Sequence, residues 1–232
     1  MRQPGTAINM AICVPAQFQV EALFTYDLAQ MMAFTASVIP DYCSVGLHMN
    51  IDTYAHTSRT ELMQDALKAG ATHLLWLEPS MRFPRDTAVR LLQREVPFVG
   101  VNYTTRVLPP TFTALKDGKP VPTTDTSTGL EEVDVIGFGA FMMEADTLVN
   151  LTDPDYDPWF WFAKNEDGTE TSEHAYFCRK IVQEHLNERI FVDHELSREC
   201  SHVGGFEFKL YHAETADEVK AEALEVLKET TR

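Results

Sequence analysis

The chain alternates short, almost uninterrupted apolar segments with longer segments of helical spacing. His73–Leu77 reads HLLWL, and Ala7–Val14 reads AINMAICV before Pro15 ends the run. Gln19–Ser37, which follows the first run, has the spacing of a helix. Parallel strands that are buried on both faces give such apolar runs, and crossover helices join them. The pattern therefore predicts an α/β fold: one domain with a mostly parallel central sheet flanked by helices.

The remaining elements are predicted in the same way. A helix from Thr57 or Ser58 to Ala69 is expected to end at Gly70, with Glu61 at the capping-box position relative to Ser58. The other predicted strands are Tyr42–Leu47, Phe98–Val101, Val133–Met143 and Ile190–Val192. The other predicted helices are Pro84–Gln93, Ala145–Leu151 and Ser172–Asn187.

Chain length limits the number of domains. With 232 residues, of which 44% are hydrophobic, the chain can bury one core and is short for two. We predict one domain over residues 1–212. Ala216, Val219 and Ala223 recur at helical spacing, which predicts a C-terminal helical tail over residues 213–232. This tail is expected to pack on the domain, with a dimer contact as the alternative.

Composition limits the classes of binding partner and the cellular location that the sequence predicts. The formal net charge of −16 opposes sequence-independent binding to a polyanion, so nucleic acid is disfavoured as a partner, although a local basic patch could coexist with it. Neither a signal-peptide pattern nor an apolar run of membrane-spanning length is visible, which predicts a soluble, cytoplasmic protein, in the host cytoplasm if it is phage-encoded. The four cysteines lack CxxC spacing and are predicted to be free and mostly buried: Cys13, Cys43, Cys178 and Cys200.

Ligands of open α/β sheets bind beyond the carboxyl ends of the strands, which directs attention to three loops. These are Pro15–Gln17, Glu78–Ser80 and Asn102–Arg106. The long polar connection Asn102–Leu130 is predicted to be an active-site loop or hairpin. The two glycines inside Val133–Met143 indicate a bulge or a close backbone approach to a ligand. No phosphate loop, HExxH, GxSxG or GxGxxG motif follows a suitable element.

Seven segments carry a resemblance to a known family. They are ICVPAQ, TSRTELMQDALKAGATHLLWLEPSMRFP, PFVGVNYTTR, TGLEEVDVIGFGAFMM, DPWFWF, SEHAYFCRK and IFVDHELSRECSHVGG. Their order resembles the small phage- and bacterial-type glycosyltransferases with a GT-A fold, from about Ile12 to Phe206. The resemblance implies transfer of a sugar from a nucleotide-diphosphate donor, a UDP-sugar, to a hydroxyl acceptor. The acceptor could be a modified DNA base, a protein or a glycan.

In that family the strand matching His73–Leu77 leads into an Asp-x-Asp motif that holds a divalent cation against the donor. Here the motif reads Glu78-Pro79-Ser80, and the family's later metal-binding histidine matches His202. The resemblance therefore implies that Glu78 and His202 bind Mn²⁺ or Mg²⁺, which neutralises charge on the leaving diphosphate. The alternative for His202 is a histidine that caps the end of a strand.

The resemblance also implies a donor site across the first and third strand ends. Its residues are Pro15, Ala16, Gln17, Arg59, Glu78 and Ser80. Arg59 could grip the base or the diphosphate, with a surface salt bridge as the alternative. Arg106 could bind phosphate or acceptor.

The catalytic candidates lie at the start of the helix in SEHAYFC. The family usually has Glu-Asp there, and this chain has Glu173 and His174. A carboxylate or a neutral imidazole can take the acceptor's hydroxyl proton, so the two compete for the role of base. For Glu173 the alternative is ordinary charge at a helix N-terminus.

Aromatic residues are the candidates for acceptor binding. Tyr103 follows the predicted strand Phe98–Val101, and Trp159 and Trp161 could stack on a sugar or a base. Core packing is the alternative for at least one tryptophan.

Two substitutions relative to the family, at Ser80 and His174, keep other functions open. One is a non-catalytic binding subunit that retained the GT-A fold after losing its metal motif. Another is transfer that needs no metal. Whether the sugar's configuration is retained or inverted stays open, as does the oligomeric state.

Overall fold

The computed structural model describes residues 7–16, 19–51, 54–148, 159–164, 170–204 and 207–214. Gln17 and the predicted tail beyond residue 214 lie outside these ranges. The strands are β1 (Asn9–Ala16), β2 (Ser44–Ile51), β3 (His73–Leu77), β4 (Met81–Arg82), β5 (Phe98–Gly100), β6 (Leu115–Lys116), β7 (Lys119–Pro120), β8 (Leu130–Val133), β9 (Ala140–Glu144), β10 (Ala163–Lys164), β11 (Glu170–Thr171), β12 (Ile190–Asp193), β13 (Ser201–Val203) and β14 (Glu207–Phe208).

Helices flank these strands in the described ranges. They are α1 (Ala22–Val38), α2 (Ala55–Lys68), α3 (Thr87–Leu92), α4 (Ala145–Leu148), α5 (Glu173–Tyr176), α6 (His194–Ser197) and α7 (Leu210–Glu214). A π-helical segment, Phe177–His185, continues α5. No helix in the described ranges combines the length and the apolarity that a membrane span requires.

Seven strands form the central sheet, in the order β2-β1-β3-β9-β5-β12-β8. β1 pairs in parallel with β2 and β3, and β5 pairs in parallel with β12. β9 lies between β3 and β5 and runs antiparallel to both, and β8 runs antiparallel to β12. The predicted fold class is confirmed: an α/β fold with a mostly parallel central sheet flanked by helices. The antiparallel insertion of β9 was not predicted, because periodicity within one strand carries no information about its neighbours.

The core consists of two apolar layers, one on each face of the sheet. Leu74 and Trp76 of β3 belong to the layer that contains the buried residues of α2. Leu75 and Leu77 belong to the layer that contains those of α1. The uninterrupted apolar run of β3 is thus explained, since successive side chains of a strand point to opposite faces.

The start of α2 differs from the prediction. The helix begins at Ala55, and Ser58 is buried inside it instead of capping it. The reason is Asn50 in β2, which accepts a hydrogen bond from the Ser58 hydroxyl and donates from Nδ2 to the Ser58 carbonyl oxygen at 3.2 Å. Asn50 Nδ2 also lies 3.2 Å from Glu61 Oε2, so the expected capping box does not form. These bonds tie the first turns of α2 to the carboxyl-terminal end of β2.

The long connection after β5 contains the predicted hairpin. Leu115 pairs with Pro120 between β6 and β7. The connection is anchored by Asn102, which is fully buried, donates to the Val121 carbonyl oxygen at 2.8 Å and accepts from the Ala114 amide at 3.0 Å. A side chain at the end of β5 therefore satisfies backbone groups of the hairpin.

The prediction of free cysteines is confirmed. Cys13, Cys178 and Cys200 are buried, Cys43 is partly buried, and all four are free. Burial raises the pKa of the Cys13 and Cys178 thiols to about 12. These two side chains therefore act as small apolar core residues and not as nucleophiles.

The glycines before β9 make a close approach to Tyr103. A Cβ atom on Gly139 would lie 2.6 Å from Tyr103 Cε1 and 2.9 Å from Met81 Sδ. A Cβ atom on Gly137 would also meet the Tyr103 ring. The close approach that the sequence predicted is present, but it accommodates a buried side chain of the protein.

We expect Gly139→Ala to lower the free energy of unfolding by about 1–3 kcal/mol, because the added methyl group overlaps a fixed ring. Gly46→Ala is the control: its Cβ atom would lie 3.8 Å from the nearest atom, in ordinary contact. That substitution is expected to be neutral or to stabilise by up to about 1 kcal/mol. Urea unfolding measures both, and equal stabilities for the two variants would contradict this packing.

Candidate functional site

A cavity of about 410 Å³ lies at the carboxyl-terminal ends of β1 and β3. Most of the predicted donor and catalytic residues line it: Pro15, Ala16, Arg59, Glu78, Ser80, Arg106 and Glu173. The beginnings of α1 and α2 contribute further lining residues, among them Glu21, Ala55 and Ser58. The cavity thus lies at strand ends where the sequence predicted ligand binding, while the roles of its lining residues stay predictions.

Backbone hydrogen bonds on three sides fix the Glu78–Ser80 loop. The Glu78 amide donates to the Gly139 carbonyl oxygen at 3.1 Å, and the Glu21 amide donates to the Pro79 carbonyl oxygen at 3.2 Å. On the third side, the Val203 amide donates to the Ser80 carbonyl oxygen at 2.7 Å. The loop is therefore held between β9, the start of α1 and β13.

Arg59 connects the two carboxylates of the site. It projects from α2, is only 2% exposed, and its guanidinium carbon lies 4.8 Å from the Phe138 ring centroid. Its Nη2 lies 3.4 Å from Glu78 Oε1, and its Nε lies 3.4 Å from Glu173 Oε1. Arg59 is therefore not the surface salt bridge that the sequence left open, but a buried cation between the carboxylates of Glu78 and Glu173.

Tyr103 supports Glu78 and does not contribute to the cavity lining in the described ranges. It is 4% exposed, and its hydroxyl donates to Glu78 Oε2 at 3.3 Å. Burial, reinforced by the Glu78 charge, raises the pKa of Tyr103 well above its usual value, so the hydroxyl stays protonated as a donor. Its predicted contact with the acceptor has no support from this position.

His202 lies next to Ser80 because β13 pairs with β4, which begins immediately after Ser80. Its Nδ1 lies 2.9 Å from the Thr104 carbonyl oxygen, which can only accept, so Nδ1 carries the proton. Nε2 therefore accepts from the Ser80 hydroxyl at 3.0 Å. Burial lowers the pKa of His202, which favours this neutral form.

The fit of a divalent cation can be tested on these contacts. Glu78 Oε2 and His202 Nε2 lie 3.9 Å apart, but both already have partners in the protein. No group of three or more His, Cys, Asp or Glu side chains in the described ranges is arranged to hold a metal ion. Hard divalent cations prefer several oxygen ligands. The described residues therefore do not fit the cation that the sequence implied, and that cation stays a prediction.

Glu173 and His174 have different environments. Glu173 lines the cavity, whereas His174 lies beside it, with Nδ1 3.9 Å from Glu173 Oε1 and Nε2 3.1 Å from the Ser172 hydroxyl. Burial alone would raise the pKa of Glu173, but the adjacent His174 and the Arg59 charge lower it to about 2. A carboxylate with so low a pKa is a weak base. Glu173 is therefore better suited to holding Arg59 than to accepting a proton.

The two tryptophans differ in exposure. Trp159 is 6% exposed and belongs to the core, so the packing alternative applies to it. Trp161 is 50% exposed and contacts His56 edge-to-face with ring centroids 5.7 Å apart. Phe162, 45% exposed, contacts the same His56 ring at 5.4 Å. His56 and Phe162 were not predicted; His56 follows the lining residue Ala55 in α2, and none of the three rings is among the described lining residues.

Arg106 is the exposed cation of the site. It lines the cavity, and its Nη1 donates to the Val203 carbonyl oxygen at 3.2 Å. This bond ties Arg106 to the end of β13. The predicted loop after β5 therefore does supply a charged side chain to the site.

The chain matches no protein-family model and no curated protein. Among solved structures it is similar to A197 from STIV, with a TM-score of 0.53 and 12% identity over 85% of this chain and 86% of that one. At this identity the likeness shows the fold alone. A glycosyltransferase involved in the glycosylation of the major capsid of PBCV-1 aligns with a TM-score of 0.32 and 11% identity over 66% of this chain and 68% of that one, too weak to support a conclusion.

The low pKa of Glu173 predicts a pH dependence of stability. The pKa of Glu173 in the folded protein, about 2, lies below the ordinary value of 4.5. The contribution of Glu173 to the free energy of unfolding is therefore fully present above pH 4.5 and is lost as the pH falls toward 2. The free energy of unfolding of the wild type should exceed that of Glu173→Gln by about 3 kcal/mol at neutral pH. This difference should shrink below pH 4.5. Urea unfolding across this range measures it.

Glu184→Gln is the matched control for this measurement. Glu184 lies on the π-helical segment, is exposed, and pairs with Lys180. Exposed ion pairs contribute about 0–1 kcal/mol to the free energy of unfolding, so the stability of this variant should differ little from that of the wild type. A difference between wild type and Glu173→Gln that stays constant through the acid range would contradict the assigned ion pair.

Proposed function

We propose that the protein is a glycosyltransferase that takes a sugar from a nucleoside-diphosphate donor, a UDP-sugar, and passes it to a hydroxyl acceptor. One observation carries this proposal: a single cavity at the strand ends of a GT-A-like sheet combines the implied donor residues with Glu173. Its volume of about 410 Å³ lies within the usual range for small-molecule sites.

The implied donor residues come from two strand ends, from α2 and from the loop after β5. Pro15 and Ala16 come from the end of β1, and Glu78 and Ser80 follow β3. Arg59 and Arg106 supply positive charge that would attract a diphosphate and stabilise it as a leaving group. The donor would lie across these strand ends, with its sugar toward Glu173.

His174 is the better candidate for the base. With Nδ1–H facing the Glu173 carboxylate, Nε2 carries the lone pair; it now lies 3.1 Å from the Ser172 hydroxyl, which the acceptor hydroxyl would replace. In an inverting reaction, Nε2 would take the acceptor's hydroxyl proton as the oxygen bonds to the anomeric carbon. The bond from that carbon to the diphosphate oxygen would break, and the nucleoside diphosphate would leave with the electron pair. Glu173 would orient His174 and Arg59.

The exposed rings favour an uncharged acceptor. Trp161 and Phe162 are exposed and both contact His56, the residue after the lining residue Ala55, and such aromatic faces pack against the C–H surface of a sugar. A net charge of −16 opposes a DNA acceptor. A glycan or a protein side chain therefore suits the site better than a modified DNA base.

A non-catalytic binding subunit is the second candidate. The engagement of Glu78 by Tyr103 and of His202 by Ser80 favours it, because neither side chain is free for the metal chemistry of the family. Such a protein would bind a UDP-sugar without turning it over. Donor binding and UDP release must therefore be measured separately.

The test is UDP release from a panel of UDP-sugars, with calorimetric titration of the same donors. Slow transfer to water should give measurable release without an identified acceptor. We expect His174→Asn to reduce release by about 100-fold while donor affinity stays unchanged, since loss of a general base costs about that much. Glu173→Gln should reduce release as well, because His174 and Arg59 lose the carboxylate that orients them.

His48→Asn is the control, because His48 lies within β2 and is not a lining residue. It should behave as wild type in both measurements. Donor binding without UDP release in wild type would support the binding-subunit alternative. Absence of both binding and release for every donor would reject the proposal.

A further inference from the structure

Two long helices begin at the cavity, and among the described residues neither has an N-cap side chain that makes a capping hydrogen bond. The N-cap residue of α1 is Glu21, and that of α2 is Tyr54. Glu21 and Ala55 both line the cavity. The first amide groups of a helix lack partners within the helix and carry its positive dipole end, so they attract anions.

Arg59 provides a second, independent indication of an anionic ligand. Its Nε and Nη1 are buried and have no hydrogen-bond partner among the described residues, although Arg59 is 98% buried and lines the cavity. Its contacts to Glu78 and Glu173 are 3.4 Å long, whereas charge-assisted hydrogen bonds measure about 2.7–2.9 Å. A buried guanidinium with unused donors is costly, so a further acceptor would stabilise it.

We propose that this cavity binds a diphosphate group without a divalent cation, through the N-termini of α1 and α2 together with Arg59 and Arg106. The proposal rests on the proposed function in its choice of a nucleotide as the ligand, but diphosphate binding can be measured by itself. The guanidinium groups would offset the charge of the diphosphate as it leaves, as the divalent cation does in metal-dependent glycosyltransferases.

The side chains that would bind a cation already contact other groups of the protein. Glu78 faces Arg59 and Tyr103, while His202 accepts from Ser80. A cation at Glu78 would also lie close to the Arg59 guanidinium and be repelled by it. A diphosphate, in contrast, would accept hydrogen bonds from Arg59 Nε and Nη1, which have no partner among the described residues.

The carboxylates of the cavity do not prevent this binding. Glu78 and Glu173 are partly neutralised by Arg59, and Glu21 lies at the exposed start of α1. Arg106 and the two helix termini supply the remaining attraction. Because Arg106 is exposed, its contribution should weaken as the salt concentration rises.

The test is calorimetric titration with UDP and with inorganic pyrophosphate, each in excess chelator and in Mg²⁺ or Mn²⁺. We expect dissociation constants for UDP that differ by less than about threefold between these conditions, because no affinity depends on a cation. Arg106→Ala should weaken UDP binding in chelator by at least about tenfold, as expected for a lost charge-assisted hydrogen bond.

Arg189→Ala is the matched control, since Arg189 is exposed and pairs with Glu132 away from the lining residues. It should bind UDP as wild type does. Arg59→Lys keeps the charge but removes the planar fork, and should weaken binding by at least about tenfold. Thermal melting checks that this buried substitution leaves the protein folded; Arg106→Ala tests the proposal at a surface position even if Arg59→Lys unfolds.

UDP binding that disappears in chelator would overturn the inference, and so would an unchanged affinity in Arg106→Ala. Failure of pyrophosphate and UDP to bind under any condition would also overturn it. The proposed function fails in a different way: UDP binds in chelator, yet no UDP-sugar is turned over. Turnover that requires a metal would leave the proposed function standing and remove this inference alone.

Discussion

The buried guanidinium of Arg59 is the interaction on which the site depends. It lies over the Phe138 ring and reaches Glu78 on one side and Glu173 on the other. Removing a cation from between two largely buried carboxylates would leave two charges without compensation, which is costly at low dielectric. The end of β3, the start of α5 and the helix α2 are therefore held in one arrangement by a single side chain.

Much of the fold and part of the site follow from local sequence. The apolar run of β3 was predicted with its observed boundaries, because a strand buried on both faces has no polar interruption. Glu78 and Ser80 were placed at the cavity by the strand-end rule alone. Arg59 and Glu173 needed the family resemblance, since a charge on a helix is most often solvated.

The remaining features depend on contacts that are distant in sequence. Nothing local shows that Tyr103 packs against Gly137 and Gly139 and donates to Glu78, because these residues meet only in the folded sheet. The different exposure of Trp159 and Trp161 also depends on how their segment packs against the core. The position of β9 between β3 and β5 also depends on distant contacts, because the tertiary structure, and not the sequence of one strand, determines which strands pair.

The central claim is that Arg59, with its unused donors, helps form the diphosphate site of a nucleotide-sugar enzyme. A crystal structure of the complex with UDP, grown in chelator, tests it most directly. The account predicts diphosphate oxygens within hydrogen-bonding distance of the Arg59 and Arg106 guanidinium groups and of the first amides of α1 and α2. UDP bound elsewhere, or bound in this cavity with Arg59 still contacting only Glu78 and Glu173, would contradict it.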